Sequence, residues 1–252
     1  MAYPGTSFSR GFSRVFDDGL YRPLANWAWA SPLALSKLQE GCETSEQCLS
    51  DGWDAAAWFH SLPEEPREIL VVNSTDSNAF VSLCWDLMTA DVVAFDAEWV
   101  PDERDSDHPI SVLQFAFPTT CQVYVLQLHR IGKIPPPVQQ MLVNPWVTKV
   151  GFGVDCKDAD KFITTGIRMY RESVVDMQQV FADLLGRATY RFGLRRAAND
   201  LLGYALDKDA SCTCSDWSAR DLSPEQVKYA ALDAWVTLRL FYLSCVWTPW
   251  EC

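Results

Sequence analysis

Val92-Val93-Ala94-Phe95-Asp96-Ala97-Glu98-Trp99 is the stretch from which the fold of this chain can be read. β-Branched and aromatic residues run through it with no Pro or Gly, the composition of a β-strand. Side chains alternate along a strand, so Asp96 and Glu98 project from the same face. Two carboxylates on one face of an apolar strand are costly to bury without partners. They are exposed, salt-bridged or holding a cation, and the flanking sequence has to choose among the three.

Upstream, residues 68–73 read as a strand. Residues 74–88 read as a helix with Ser74 or Thr75 as N-cap and Phe80, Leu83, Cys84 and Leu87 as its apolar stripe. Downstream, the acidic run 101–109 reads as a solvated loop. Residues 110–117 and 121–128 then alternate as two more strands around a Pro118-Thr-Thr turn. Consecutive strands with short links imply an antiparallel meander. Residues 136–143 form a short helix with prolines in its first turn, and 147–154 a further strand. The period is then helical over 158–165, 175–185, 192–202 and 223–243. Strands first, helices later and one strand–helix–strand crossover predict an α/β fold: a mixed sheet flanked by helices.

The 252 residues, 48% hydrophobic and 21% charged, suffice for one large core. Residues 1–62 show no sustained period but carry Trp27, Trp29, Trp53 and Trp58, too many for a solvated tail. We expect an irregular extension over 1–62 that packs on the domain, a boundary at Pro63-Glu-Glu-Pro66, a domain over 63–245 and a tail over 246–252. No apolar run approaches the ~18 residues needed to span a bilayer, and no signal-peptide core follows a basic start. The expectation is an intracellular chain with no membrane partner. Of the nine cysteines only Cys212 and Cys214 are close, and His60, His108 and His129 all lie upstream. A zinc site lacks its remaining ligands, and reduced thiols are expected.

A net charge of −12 argues against a nucleic-acid partner. Residues 1–65, with 4 basic and 9 acidic side chains, account for −5 of it, and residues 66–252, with 17 and 24, for −7. Four acids there neutralised by two divalent cations would leave −3, which weakens the objection.

Acids recur twice. Val150-Gly-Phe-Gly-Val-Asp155-Cys-Lys-Asp158 ends a buried strand and opens a helix with carboxylates in its first turn. Asp155 suits an N-cap. Asp158, four residues before Phe162, falls on the face toward the sheet and needs a partner. In the last helix, Ser223 with Gln226 three residues on, and Pro224 first, make a capping box. Tyr229 and Asp233 stack one turn apart amid Ala230, Ala231 and Ala234, either bonded to each other or facing a ligand.

Together the three clusters resemble the DEDD exonucleases, which have a ribonuclease H-like fold, over about residues 66–245. Asp96-Ala97-Glu98 followed by Trp99 is similar to the first motif of the Werner-syndrome and ribonuclease D-like branch. Ser111-Val-Leu-Gln114-Phe-Ala116 is similar to the strand after it, and Tyr229 with Asp233 to the tyrosine form of the third motif. The histidine form would need a histidine at Lys228, and none follows His129. The second motif departs by one residue: Lys157 stands where the family's aspartate is counted, and Asp158 aligns through the D-x-x-K-[LF] pattern, with Asp155 as second choice.

The resemblance implies a metal-dependent 3′–5′ exonuclease releasing nucleoside 5′-monophosphates. It implies two ions, Mg²⁺ or Mn²⁺, held by Asp96, Glu98, Asp158 and Asp233, a water oriented by Tyr229, and no organic cofactor. The expected partner is a single-stranded 3′ end, DNA or RNA. Arg187, Arg191, Arg195 and Arg196 interleaved with Tyr190 and Phe192 suit such a strand. Arg191 and Arg195 are the candidate phosphate contacts, and Trp99 and Trp217 the candidate stacking rings, both equally suited to the core. The alternative is a weak or inactive module of the same fold that binds nucleic acid or protein.

Overall fold

The computed structural model describes residues 55–101, 108–154, 157–185, 193–206 and 210–247; the side chains of 157–160 and 210–211 lie outside that description. Six strands form one sheet in the order β1-β4-β3-β2-β5-β6. These are β1 (Glu68–Val72), β2 (Val92–Glu98), β3 (Val112–Phe117), β4 (Gln122–Gln127), β5 (Thr148–Gly151) and β6 (Val174–Asp176). β2, β3 and β4 are the expected antiparallel meander, while β1 joins β4, β5 joins β2 and β6 joins β5 in parallel. The predicted mixed α/β sheet is thus the observed one.

The strand period divides the core into two layers. Ala94, Val112, Ala116, Val123, Val125 and Val150 face one side, and Val93, Phe95, Leu113, Phe115, Tyr124 and Leu126 the other. α2 (Asn78–Thr89) and α4 (Pro136–Val143) cover the second layer with Leu83, Leu87, Val138 and Met141. The short α3 (Leu128–Ile131) ends at Gly132, whose φ of 79° is the left-handed conformation that glycine adopts without strain.

The first layer lies beneath the longest helix. α5 (Lys157–Thr164), α6 (Met177–Leu184), α7 (Leu194–Leu202) and α8 (Ala210–Thr213) precede it, and α9 (Pro224–Trp247) crosses β2, β3, β4 and β5. Every residue of α9 from Tyr229 to Ser244 is buried. By length and apolar composition α9 passes for a bilayer span, which residue-by-residue reading had not suggested; 89% of its most apolar window is buried inside the fold, as expected of a core helix. α1 (Ala55–Ser61) packs on it as well: Trp58 stacks on Tyr242 at 5.9 Å, and Trp235 Nε1 donates to the Pro63 and Glu64 carbonyls at 3.3 and 3.2 Å.

Two expectations need correction. Residues 175–185 are not one helix: Val174–Asp176 is an edge strand, and Asp176 then caps α6 by accepting from Gln178 N at 2.9 Å. Two adjacent valines next to β5 gain more from pairing than from a helix turn. The N-cap of α2 is Ser77, which accepts from Phe80 N at 3.1 Å, while Ser74 accepts from Asp76 N in the turn before it.

Candidate active site

Asp96 and Glu98 leave β2 on the α9 side of the sheet, in line with Ala94. Asp233 comes down from α9, 3% exposed, with Ala230, Ala231 and Ala234 fully buried around it. These small side chains let the helix approach the strands closely. One carboxylate oxygen from each of Asp96, Glu98 and Asp233 lies within 4.8 Å of the other two. Asp96 Oδ1 also accepts from Ala97 N at 2.9 Å, which fixes part of its orientation. Three carboxylates at this spacing repel one another unless a cation or protons intervene. An all-oxygen set suits a hard divalent ion.

One turn before Asp233, the Tyr229 hydroxyl meets Thr213 Oγ1 at 3.1 Å, and its ring centroid lies 6.0 Å from that of Trp217. The predicted capping box is present: Ser223 N donates to Gln226 Oε1 at 2.9 Å and Gln226 N to Ser223 Oγ at 3.2 Å. Gln226 Nε2 also donates to Ser215 Oγ and the Asp216 carbonyl at 2.8 and 3.1 Å, so residues 212–217 are clamped to the start of α9. Hydrogen bonds from the Ser218 hydroxyl and backbone N–H hold the Asp216 carboxyl below its ordinary value.

A model of the 3′-5′ exonuclease family matches residues 71–242. The chain belongs to that family. Mouse "bifunctional 3′-5′ exonuclease/ATP-dependent helicase WRN" is 26% identical over 216 residues, which are 83% of this chain and 15% of the mouse protein. Human "exonuclease 3′-5′ domain-containing protein 2" is 31% identical over 153 residues, 60% of this chain and 24% of that protein. The chain therefore spans a minor part of these relatives. Among solved structures, the exonuclease domain of Aedes aegypti Nibbler superposes with a TM-score of 0.59 at 24% identity, covering 74% of this chain and 90% of that one. Escherichia coli ribonuclease D gives 0.58 at 22%, covering 72% and 47%. At these identities the structural likeness establishes the fold.

The remaining exonuclease-motif residues are placed unevenly. Asp158 lies in the first turn of α5, its side chain outside the described residues, as is all of Asp155. α5 and the residue after it are pinned to β2 and to the segment leading into β3. Phe162 meets Phe95 edge-on at 5.9 Å, Lys161 Nζ donates to the His108 carbonyl at 2.9 Å, and Ile110 N donates to Thr165 Oγ1 at 2.7 Å. Trp99 is half-buried, with Lys161 Nζ 5.8 Å from its ring centroid. Trp217 is fully buried, so its ring has no face to offer a base; of its two expected roles the structure supports packing. Arg195 is exposed on α7, Arg196 pairs with Asp200 at 3.1 Å, and Arg187 and Arg191 lie outside the described residues.

Sequence reading missed two residues here. Thr213 lies between Cys212 and Cys214, and nothing local signals its contact with a residue 16 positions away. Asp176 Oδ1 accepts from Gly153 N at 2.7 Å, which holds the bend leading to α5, where Gly153 has a φ of 75°. An Asp that starts a helix right after two valines was the available signal.

Proposed function

We propose that the chain is a metal-dependent 3′–5′ exonuclease that removes nucleoside 5′-monophosphates from the 3′ end of a single-stranded nucleic acid. The observation that carries this reading is the convergence of Asp96, Glu98 and Asp233, from a strand and a helix far apart in sequence, to within 4.8 Å in a chain of the exonuclease family. Two divalent ions, Mg²⁺ or Mn²⁺, would supply Lewis-acid stabilisation of the attacking and leaving oxygens.

The chain's own residues have distinct tasks. Asp96 and Glu98 on β2, Asp233 on α9 and Asp158 on α5 would hold the ions. Tyr229, one turn from Asp233, aligns the attacking water with the scissile phosphate. Arg195 and Arg191 would neutralise backbone phosphates behind the terminal nucleotide. Trp99, still half-exposed beside β2, is the ring left to stack on a terminal base. Trypanosoma brucei ribonuclease D has been solved in complex with RNA U12, with a TM-score of 0.60 at 18% identity, which makes RNA one arm of the test.

The test uses end-labelled single- and double-stranded DNA and RNA with Mg²⁺ or Mn²⁺. A ladder shortening from the 3′ end, absent with Asp96→Ala, is the expected result. Metal-dependent binding of these oligonucleotides without cleavage would move the assignment to the binding-only module.

A further inference from the structure

Gln114 occupies the middle of β3, a strand buried at all six positions. Its register partners are Asp96 on β2 and Val125 on β4. Directly opposed residues of antiparallel strands share a face, with Cβ atoms about 4.5–5.5 Å apart. Gln114 is therefore the cross-strand neighbour of Asp96, on the face that looks toward α9. Along its own strand the same-face neighbours are Val112 and Ala116, which with Val125 belong to the apolar layer under that helix.

The side chain is 0% exposed, and neither Nε2 nor Oε1 has a hydrogen-bond partner among the described residues. An unpaired buried polar group is costly. Leu or Met would fill a similar volume without that cost. The register gives the amide one polar cross-strand neighbour, Asp96, itself one of the three converging carboxylates.

We infer that Gln114 is a positioning residue for the cation site: its side-chain N–H₂ holds the Asp96 carboxylate in the ligating orientation when a divalent ion is bound. This rests on the reading of Asp96, Glu98 and Asp233 as cation ligands. Glutamine suits the task because it is neutral. It donates to a carboxylate without the positive charge that would compete with the ion, and without the extra negative charge of a glutamate. Outer partners of this kind orient ligands and set metal affinity.

The test is a calorimetric Mn²⁺ titration of the full chain with wild type, Gln114→Leu, Gln114→Met and Asp96→Ala, alongside melting curves without metal. Both Gln114 variants are expected to melt at or above the wild-type temperature without metal. They should bind Mn²⁺ about 10–100-fold more weakly. In the nuclease assay they should lose kcat at low Mn²⁺, keep KM for the oligonucleotide and regain rate as Mn²⁺ is raised. A packing role alone would change melting and leave Mn²⁺ affinity alone. Mn²⁺ affinity within twofold of wild type in either folded variant overturns the inference while leaving the cation site standing. Wild type that binds Mn²⁺ no better than Asp96→Ala overturns the cation site, and the inference with it.

Discussion

Tyr229 and Thr213 meet hydroxyl to hydroxyl at 3.1 Å, joining a tyrosine of α9 to the last residue of the short helix α8. The tyrosine is buried and the threonine exposed, so the bond does more to aim the phenol than to hold the fold together. Thr213→Val keeps the shape and removes the bond. A hydrogen bond of this kind contributes about 1 kcal/mol, so kcat should fall about 5- to 10-fold with KM unchanged. Thr213→Ser should recover most of the loss. Steady-state kinetics of the three proteins on a labelled oligonucleotide settle it, and a Thr213→Val enzyme with wild-type kcat would show that Tyr229 is aimed by packing alone.

The three converging carboxylates predict opposite effects with and without metal. Asp233→Asn removes one of three like charges lying within 4.8 Å. Relief of that repulsion should stabilise the metal-free protein by about 1–3 kcal/mol. If the three acids hold a cation as proposed, wild type should melt higher with Mn²⁺, and the same substitution should abolish both that rise and the proposed nuclease activity. Melting curves with EDTA and with Mn²⁺ give both halves of the comparison. Equal metal-induced shifts in the two proteins would remove Asp233 from the ligand set.

Trp217 tests whether aromaticity near a motif means substrate contact. Its ring is fully buried and 6.0 Å from that of Tyr229. Trp217→Ala should cost about 3–5 kcal/mol of stability, as large core truncations do. The milder Trp217→Phe should lower the melting temperature and kcat while KM for the oligonucleotide stays within twofold. A rise in KM with stability unchanged would return Trp217 to the substrate surface.

These residues also mark how far sequence alone reaches. Asp96 and Glu98 could be placed on one face because strand alternation is a local rule, and the capping box at Ser223 and Gln226 because both its hydrogen bonds span three residues. The meander was legible for the same reason: its links are short. The edge strand Val174–Asp176 was not, because three residues carry too little period to separate them from the helix they precede. The cap of α2 was missed because Ser74, Thr75 and Ser77 compete within four positions, and the path of the chain out of β1 decides among them. The burial of Trp217 and the reach of Thr213 depend on where residues 212–217 are clamped, which α9 determines from a distance. Gln114 could be read as part of a motif, but that its amide has no partner among the described residues is visible only with both neighbouring strands in place.

Lys149 predicts a pH dependence of stability that is independent of catalysis. It is 0% exposed on β5, and its ammonium donates to the Asn144 carbonyl at 2.7 Å and to Ser173 Oγ. Burial lowers its pKa from 10.5 to about 7. Between those values the unfolded chain holds a proton that the folded chain has released, so this residue makes stability rise with pH from about 7 to about 10.5. Its contribution is complete above the upper value and is lost as pH falls toward the lower one. Lys149→Met removes the titration while leaving the Asn144 carbonyl and the Ser173 hydroxyl without this donor. The stability of the variant relative to wild type should therefore be greatest near pH 7 and about 3 kcal/mol smaller at pH 9.5. Urea denaturation of both proteins at the two pH values measures the difference directly. A difference that does not change with pH would mean that Lys149 keeps its proton in the folded chain, with its two oxygen partners offsetting the burial.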